Sequence, residues 1–171
     1  AKLGVDLKYA VHTHAHLDHI GAVKELKTWI PEMKIALHSA DEDLYKNLPM
    51  QGRLFGFEYD IPPPVDHHLK DDEVIQVGEL SFSVIHTPGH SPGGVCLHFK
   101  EGQIGDVPAL FTGDTLFEQS VGRTDLWGAD ARTLIRSIKD RILKLDDQTL
   151  VHPGHGNSTS VGVEAAENPF L

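Results

Sequence analysis

Four short apolar segments of this chain each run into a loop where Gly or Pro surrounds a chemically capable side chain: His12-Thr13-His14, Thr87-Pro88-Gly89-His90, Thr112-Gly113-Asp114 and Pro153-Gly154-His155-Gly156. Strands that deliver ligands or catalytic groups into loops in this way are how α/β folds build sites at one edge of a sheet. The pattern between these points agrees. Leu7 to Val11 leans towards strand, and Ile20, Val23, Leu26 and Ile30 then recur at helical spacing as far as Pro31. Lys34 to His38 predicts a strand, and Ser39 with Glu42 has the spacing of a capping box for a short helix through Leu48. Met50 to Val65 predicts a loop or lid whose Leu54, Phe55, Phe57 and Tyr59 pack on something. Further strands are expected at Glu79 to His86, Val95 to Phe99, Ala109 to Thr112 and Thr149 to His152, with a helix capped by Asp130 between the last two. With 171 residues and no repeat or linker, one α/β domain over residues 1–171 is expected.

Composition narrows the function. Twenty-five acidic against fifteen basic residues give a net charge of −10, which repels a nucleic-acid backbone, so no nucleic-acid partner is expected. No apolar run approaches the ~20 residues of a membrane span, and the opening AKLGVDLKYA lacks a signal-peptide layout. The single Cys96 forms no intramolecular disulfide, in keeping with a cytoplasmic location. Twelve histidines are the excess that needs an explanation.

The densest part of that excess is Thr13-His14-Ala15-His16-Leu17-Asp18-His19. Imidazole and carboxylate together suit zinc and related ions. In an extended segment His14 and His16 point to one side and can grip one ion, while Asp18 and His19 at the mouth of a helix can face a second. His90 can complete the first set, His155 can join the second, and Asp114 can bridge both through its two oxygens. The purely structural alternative, a solvated His-rich loop, fits poorly with the regular elements that flank it.

This order of residues resembles the metallo-β-lactamase superfamily, specifically its glyoxalase II-like hydrolases in the short bacterial branch without the C-terminal helical domain. The similarity runs from Tyr9 to Leu171 and includes Thr87 to Gly94, Val121-Gly122-Arg123-Thr124-Asp125 and the closing Asn168-Pro169-Phe170-Leu171. The resemblance implies an αββα four-layer sandwich with a binuclear centre: His14, His16 and His90 for one metal, Asp18, His19 and His155 for the other, and Asp114 shared. It also implies two divalent ions, with zinc expected and iron or manganese as alternatives. Because the His-x-His-x-Asp-His segment arrives so early, the chain is expected to be N-terminally truncated relative to the family, with exposed sheet edge and a tendency to homo-oligomerise.

The implied chemistry is hydrolysis of a small thioester of the hydroxyacylglutathione type, or a related ester, by a metal-bridging hydroxide. Asp18 is expected to be catalytic through the proton, and Arg123 is the candidate for a substrate carboxylate, with an ordinary ion pair as its alternative. Competing readings are an iron-dependent persulfide dioxygenase using His14, His90 and Asp114, a lactone hydrolase, and an inactive metal-binding remnant. Gly89-His90-Ser91-Pro92-Gly93 formally matches a serine nucleophile elbow, but Pro92 lacks the N–H that an oxyanion hole needs there. Zinc β-lactamases with a Cys ligand are disfavoured by Asp114 at that place, and Cys96 reads as core.

Overall fold

The computed structural model describes residues 6–171. The reading of the first residues as lacking a signal peptide rests largely on residues 1–5, which lie outside the described residues. The chain divides into two compact units, the first ending at Leu69 and the second running from Lys70 to Leu171. Among the described residues no helix is long and apolar enough to cross a membrane.

In the first unit, β1 (Tyr9–Val11), β2 (Lys34–His38) and β3 (His67–Leu69) form a parallel sheet in that order. Ile35 and Leu37 of β2 pack with Ile20, Val23, Met33, Leu44, Tyr45 and Leu48 into one buried cluster. Parallel strands need crossovers, and helices supply them. The predicted helix after the His-rich segment is broken in two, α1 (Leu17–Ile20) and α2 (Val23–Trp29), around Gly21, whose carbonyl accepts a bond from the Tyr59 hydroxyl.

Two local expectations fail in this unit. The Ser39/Glu42 capping box does not form: residues Ser39–Asp41 make a single 3₁₀ turn, and the ring of His38 accepts from Ala40 N at 3.3 Å. Glu42 instead pairs with Lys46 at 2.8 Å and His68 at 2.7 Å, so α3 (Glu42–Lys46) starts later than predicted. The apolar residues of the expected loop do not all pack either. Helix α4 (Leu48–Leu54) runs into that loop, and beyond it Phe57 N returns to Gly52 O. That tight return turns only Tyr59 inward, leaving Leu54, Phe55 and Phe57 at least 63% exposed.

The second unit holds a six-stranded sheet. Its members are β4 (Val74–Val77), β5 (Leu80–His86), β6 (Val95–Phe99), β7 (Ala109–Gly113), β10 (Leu150–Pro153) and β11 (Thr159–Ser160), with β8 (Leu116–Phe117) and β9 (Ser120–Val121) as a separate hairpin. The order is β11-β10-β7-β6-β5-β4, with β10 and β7 parallel and the other neighbours antiparallel. Asp130 caps α5 (Ala131–Ser137) as expected, its carboxylate accepting from Thr133 N at 2.7 Å. The helix then widens into a π turn over Ile138–Ile142, closed by Leu143 N to Ile138 O. Leu134, Ile138 and Ile142 pack fully buried with Ile85, Cys96, Leu110 and Val151, each contributing roughly 2 kcal/mol by removal from water. The short strand β4 and the C-terminal helix α6 (Val161–Glu167), capped by the Ser160 hydroxyl, were not foreseen from sequence.

Candidate metal-binding clusters

Each unit presents its own cluster of candidate ligands. In the first, the chain leaves β1 and reaches α1 through Thr13–His16, which places His14, His16 and His19 together. The His14 and His16 rings meet edge to face at 4.9 Å, and His14 and His19 lie 4.2 Å apart. Asp18 and His19 occupy the first turn of α1, with Asp18 Oδ2 at 3.4 Å from His19 Nε2. His14 and His16 are buried, whereas Asp18 is exposed. Within this unit, the pairs His14/His16, His14/His19 and Asp18/His19 bring ligand atoms within 4.8 Å of one another.

What holds this segment was not visible in the sequence. Ala15 N donates to the fully buried Asp41 at 3.0 Å. Gln51 accepts from Leu17 N at 3.1 Å and donates to Ala15 O and Leu44 O at 3.0 Å each. One acid and one amide, from elements 26 and 36 residues downstream of Ala15, therefore clamp the backbone between the ligands. His12 meets the backbone of His19, and burial pushes its pKa down to about 4, so it is neutral at ordinary pH.

In the second unit, His90, Asp114 and His155 come together. Asp114 Oδ2 lies 3.7 Å from His90 Nε2 and 3.8 Å from His155 Nε2. Both distances exceed an N–H···O hydrogen bond. They are close to the ~3.4 Å separating two ligand atoms that each sit ~2.1 Å from one tetrahedral ion. The His90 tautomer is fixed by its other nitrogen: Nδ1 lies 2.9 Å from the carbonyl of Arg123, an acceptor only, so Nδ1 carries the proton and Nε2 keeps its lone pair for a metal.

The His90 loop is pinned from several directions. Thr87 N bonds Gly94 O, Asp130 N bonds Gly89 O, and Ser137 Oγ donates to Pro88 O at 2.7 Å. His86 donates from Nε2 to Pro92 O at 3.0 Å. Gly89 has φ +140°, and a side chain there would fall 2.3 Å from the Leu134 backbone. Beneath the Asp114 turn, Thr87 Oγ1 bonds Thr115 Oγ1 at 3.1 Å and meets Cys96 Sγ at 3.4 Å. Burial pushes the Cys96 thiol up to about 11, which makes it core, as expected. Ser91 is fully buried, a poor position for a nucleophile. Arg123 places its carbonyl against His90, while its exposed guanidinium pairs with Asp125 at 2.7 and 2.8 Å.

These clusters sit in a recognisable lineage. Residues 2–155 match the metallo-β-lactamase superfamily, and the chain belongs to that family. It is 35% identical to hydroxyacylglutathione hydrolase GloC of Haemophilus influenzae, an alignment covering 99% of this chain and 78% of the relative. Among solved structures it resembles TTHA1623 in a di-iron-bound form, with TM-score 0.81, 43% identity and coverage of 93% of this chain and 75% of that one. It also resembles BLEG-1 B3 metallo-β-lactamase, with TM-score 0.82, 41% identity and coverage of 93% and 74%. The fold is the metallo-β-lactamase fold of the α/β class.

Proposed function

We propose that the chain is a metal-dependent hydrolase of small thioesters of the hydroxyacylglutathione class. The observation that carries this reading is Asp114 standing 3.7 and 3.8 Å from two imidazoles, one of which Arg123 holds in the metal-binding tautomer. Similarity to GloC at 35% identity supports the substrate class, and similarity to a di-iron-bound protein at 43% supports a two-metal requirement.

In this reading His14, His16 and His90 would hold one ion, Asp18, His19 and His155 the other, with Asp114 available to both. Divalent ions in such a set supply Lewis acidity for a carbonyl oxygen and make water ionise near neutral pH. The chain's own groups do the rest. Asp18, exposed and beside His19, would take the proton of the attacking water. Ser91 and Cys96 are both fully buried, so neither is presented as a side-chain nucleophile. For Arg123 to bind a substrate carboxylate, the carboxylate must displace Asp125 from an exposed ion pair. Zinc is the proposed metal, with iron and manganese compatible with the same donors.

Similarity to BLEG-1 at 41% favours β-lactam hydrolysis as a second reading, because the argument from Cys96 bears only on enzymes that use a Cys ligand. Elemental analysis of chain purified without added metal, followed by assays on thioesters, lactones and a β-lactam, tests both. Two ions per chain with thioester turnover is the expected result. One iron with oxygen uptake on a persulfide would mean a dioxygenase, and bound metal without any turnover would mean an inactive remnant.

A further inference from the structure

Helix α6 carries a fully buried acidic side chain, Glu164, whose donors among the described residues are a backbone N–H, an amide and a hydroxyl. Its Oε2 accepts from Gln119 N at 2.9 Å and Asn168 Nδ2 at 2.7 Å, and its Oε1 accepts from Thr159 Oγ1 at 2.7 Å. Asn168 Nδ2 also reaches Ser120 O at 3.1 Å. Glu164 and Asn168 thus hold Gln119, in the β8–β9 turn, and Ser120, the first residue of β9. Gln119 has φ +52°, a left-handed conformation that a residue other than glycine adopts only when held.

That hairpin and the residues flanking it lie next in sequence or space to the candidate ligands of the second unit or to their near neighbours. It starts two residues after Asp114. Its turn residue Glu118 accepts from Asn157 Nδ2 at 2.9 Å, two residues past His155. It ends at Gly122 and Arg123, the first approaching Asp114 O and His90 Nδ1 too closely for any side chain, the second supplying the carbonyl that orients His90. A buried polar side chain is costly unless hydrogen-bonded, and here its bonds tie the hairpin, directly at Gln119 and through Asn168 at Ser120, to the end of the chain.

We propose that Glu164 and Asn168 are positioning residues for metal binding, acting through the β8–β9 hairpin on His90, Asp114 and His155. This inference rests on the reading of those residues as metal ligands. It also gives the closing segment around Asn168 a role that the sequence pattern leaves unassigned.

The test uses the full chain stripped of metal and titrated with zinc against a chromophoric chelator, with thermal midpoints recorded before and after zinc. Glu164→Gln keeps one oxygen for Gln119 and Asn168, and its amide donates to the Thr159 hydroxyl, so zinc affinity should stay within about threefold of the parent. Glu164→Met removes the acceptor and should weaken zinc by about ten- to a hundredfold, with a smaller rise in midpoint on zinc addition. Asn168→Ala, which removes the Ser120 arm together with the bonds of Asn168 to Glu164 and Phe170 N but leaves Glu164 on Gln119, should weaken zinc several-fold and decides the matter if Glu164→Met does not fold. Parent-like zinc affinity in folded Glu164→Met or in Asn168→Ala overturns the proposal. So does equal weakening by Glu164→Gln and Glu164→Met, or a lowered metal-free midpoint with an undiminished response to zinc, which is the mark of a purely structural role. If the parent chain itself binds no zinc or other divalent ion, the metal-centre reading fails first and takes this one with it.

Discussion

Gly122 is the residue that lets Asp114 and His90 come together: an added Cβ would lie 1.8 Å from Asp114 O and 3.1 Å from His90 Nδ1. Neither neighbour can yield, since one is backbone and the other is a ring held by Arg123. Gly122→Ala should therefore cost about 1–3 kcal/mol or more through overpacking and also lower bound metal. A thermal midpoint and an elemental analysis of the same sample check both parts.

Removing a ligand should be more selective. His16→Ala or Asp114→Ala is expected to reduce metal content and abolish thioester turnover while the fold survives. Normal occupancy in either variant, read by elemental analysis, removes that residue from the ligand set.

The clamp behind the first cluster makes a separate prediction. Gln51→Leu loses the partner of Leu17 N and of two carbonyls, Ala15 and Leu44. The cost should be about 1–3 kcal/mol for the groups left unpaired, seen in urea unfolding, with weaker metal binding because His14 and His16 flank the freed backbone.

Acid should loosen the second unit through Asp71. The Arg141 guanidinium, which grips this carboxylate with two bonds, holds its pKa below the ordinary 3.8, and the His86 N–H adds to the effect. A depressed folded pKa means the contribution is complete above pH ~4 and fades as the pH falls through the folded value. The group is partly exposed, so the contribution is of order 1 kcal/mol or less after screening. Unfolding between pH 6 and 2 should show the acid-side loss in the parent chain and a flatter profile in Asp71→Asn.

Much of the site could be read from the chain because its ligands follow strands, and strands with β-branched and aromatic alternation announce themselves. His14, His90, Asp114 and His155 each sit within a few residues of a strand end that pattern alone located. Asp41, Gln51 and Glu164 could not be found that way. Each acts on backbone atoms far away in sequence, and a buried polar residue looks like any other polar residue until the fold supplies its partners. The same reason explains the failed capping box: Glu42 had the right spacing, but Lys46 and His68 compete for its carboxylate, and His68 arrives from another strand. Helix α6 was missed because its seven residues include Gly162 and show little apolar periodicity.

Gly89 presses the His90 loop directly onto the backbone of α5, with Asp130 N and Ser137 Oγ bonding the carbonyls on either side. Loop and helix therefore behave as one exchangeable part. Grafting the loop sequence alone onto another scaffold would deliver a histidine with no fixed direction, whereas moving residues 86–137 together would carry the ligand, its orienting carbonyl and the surface it rests on.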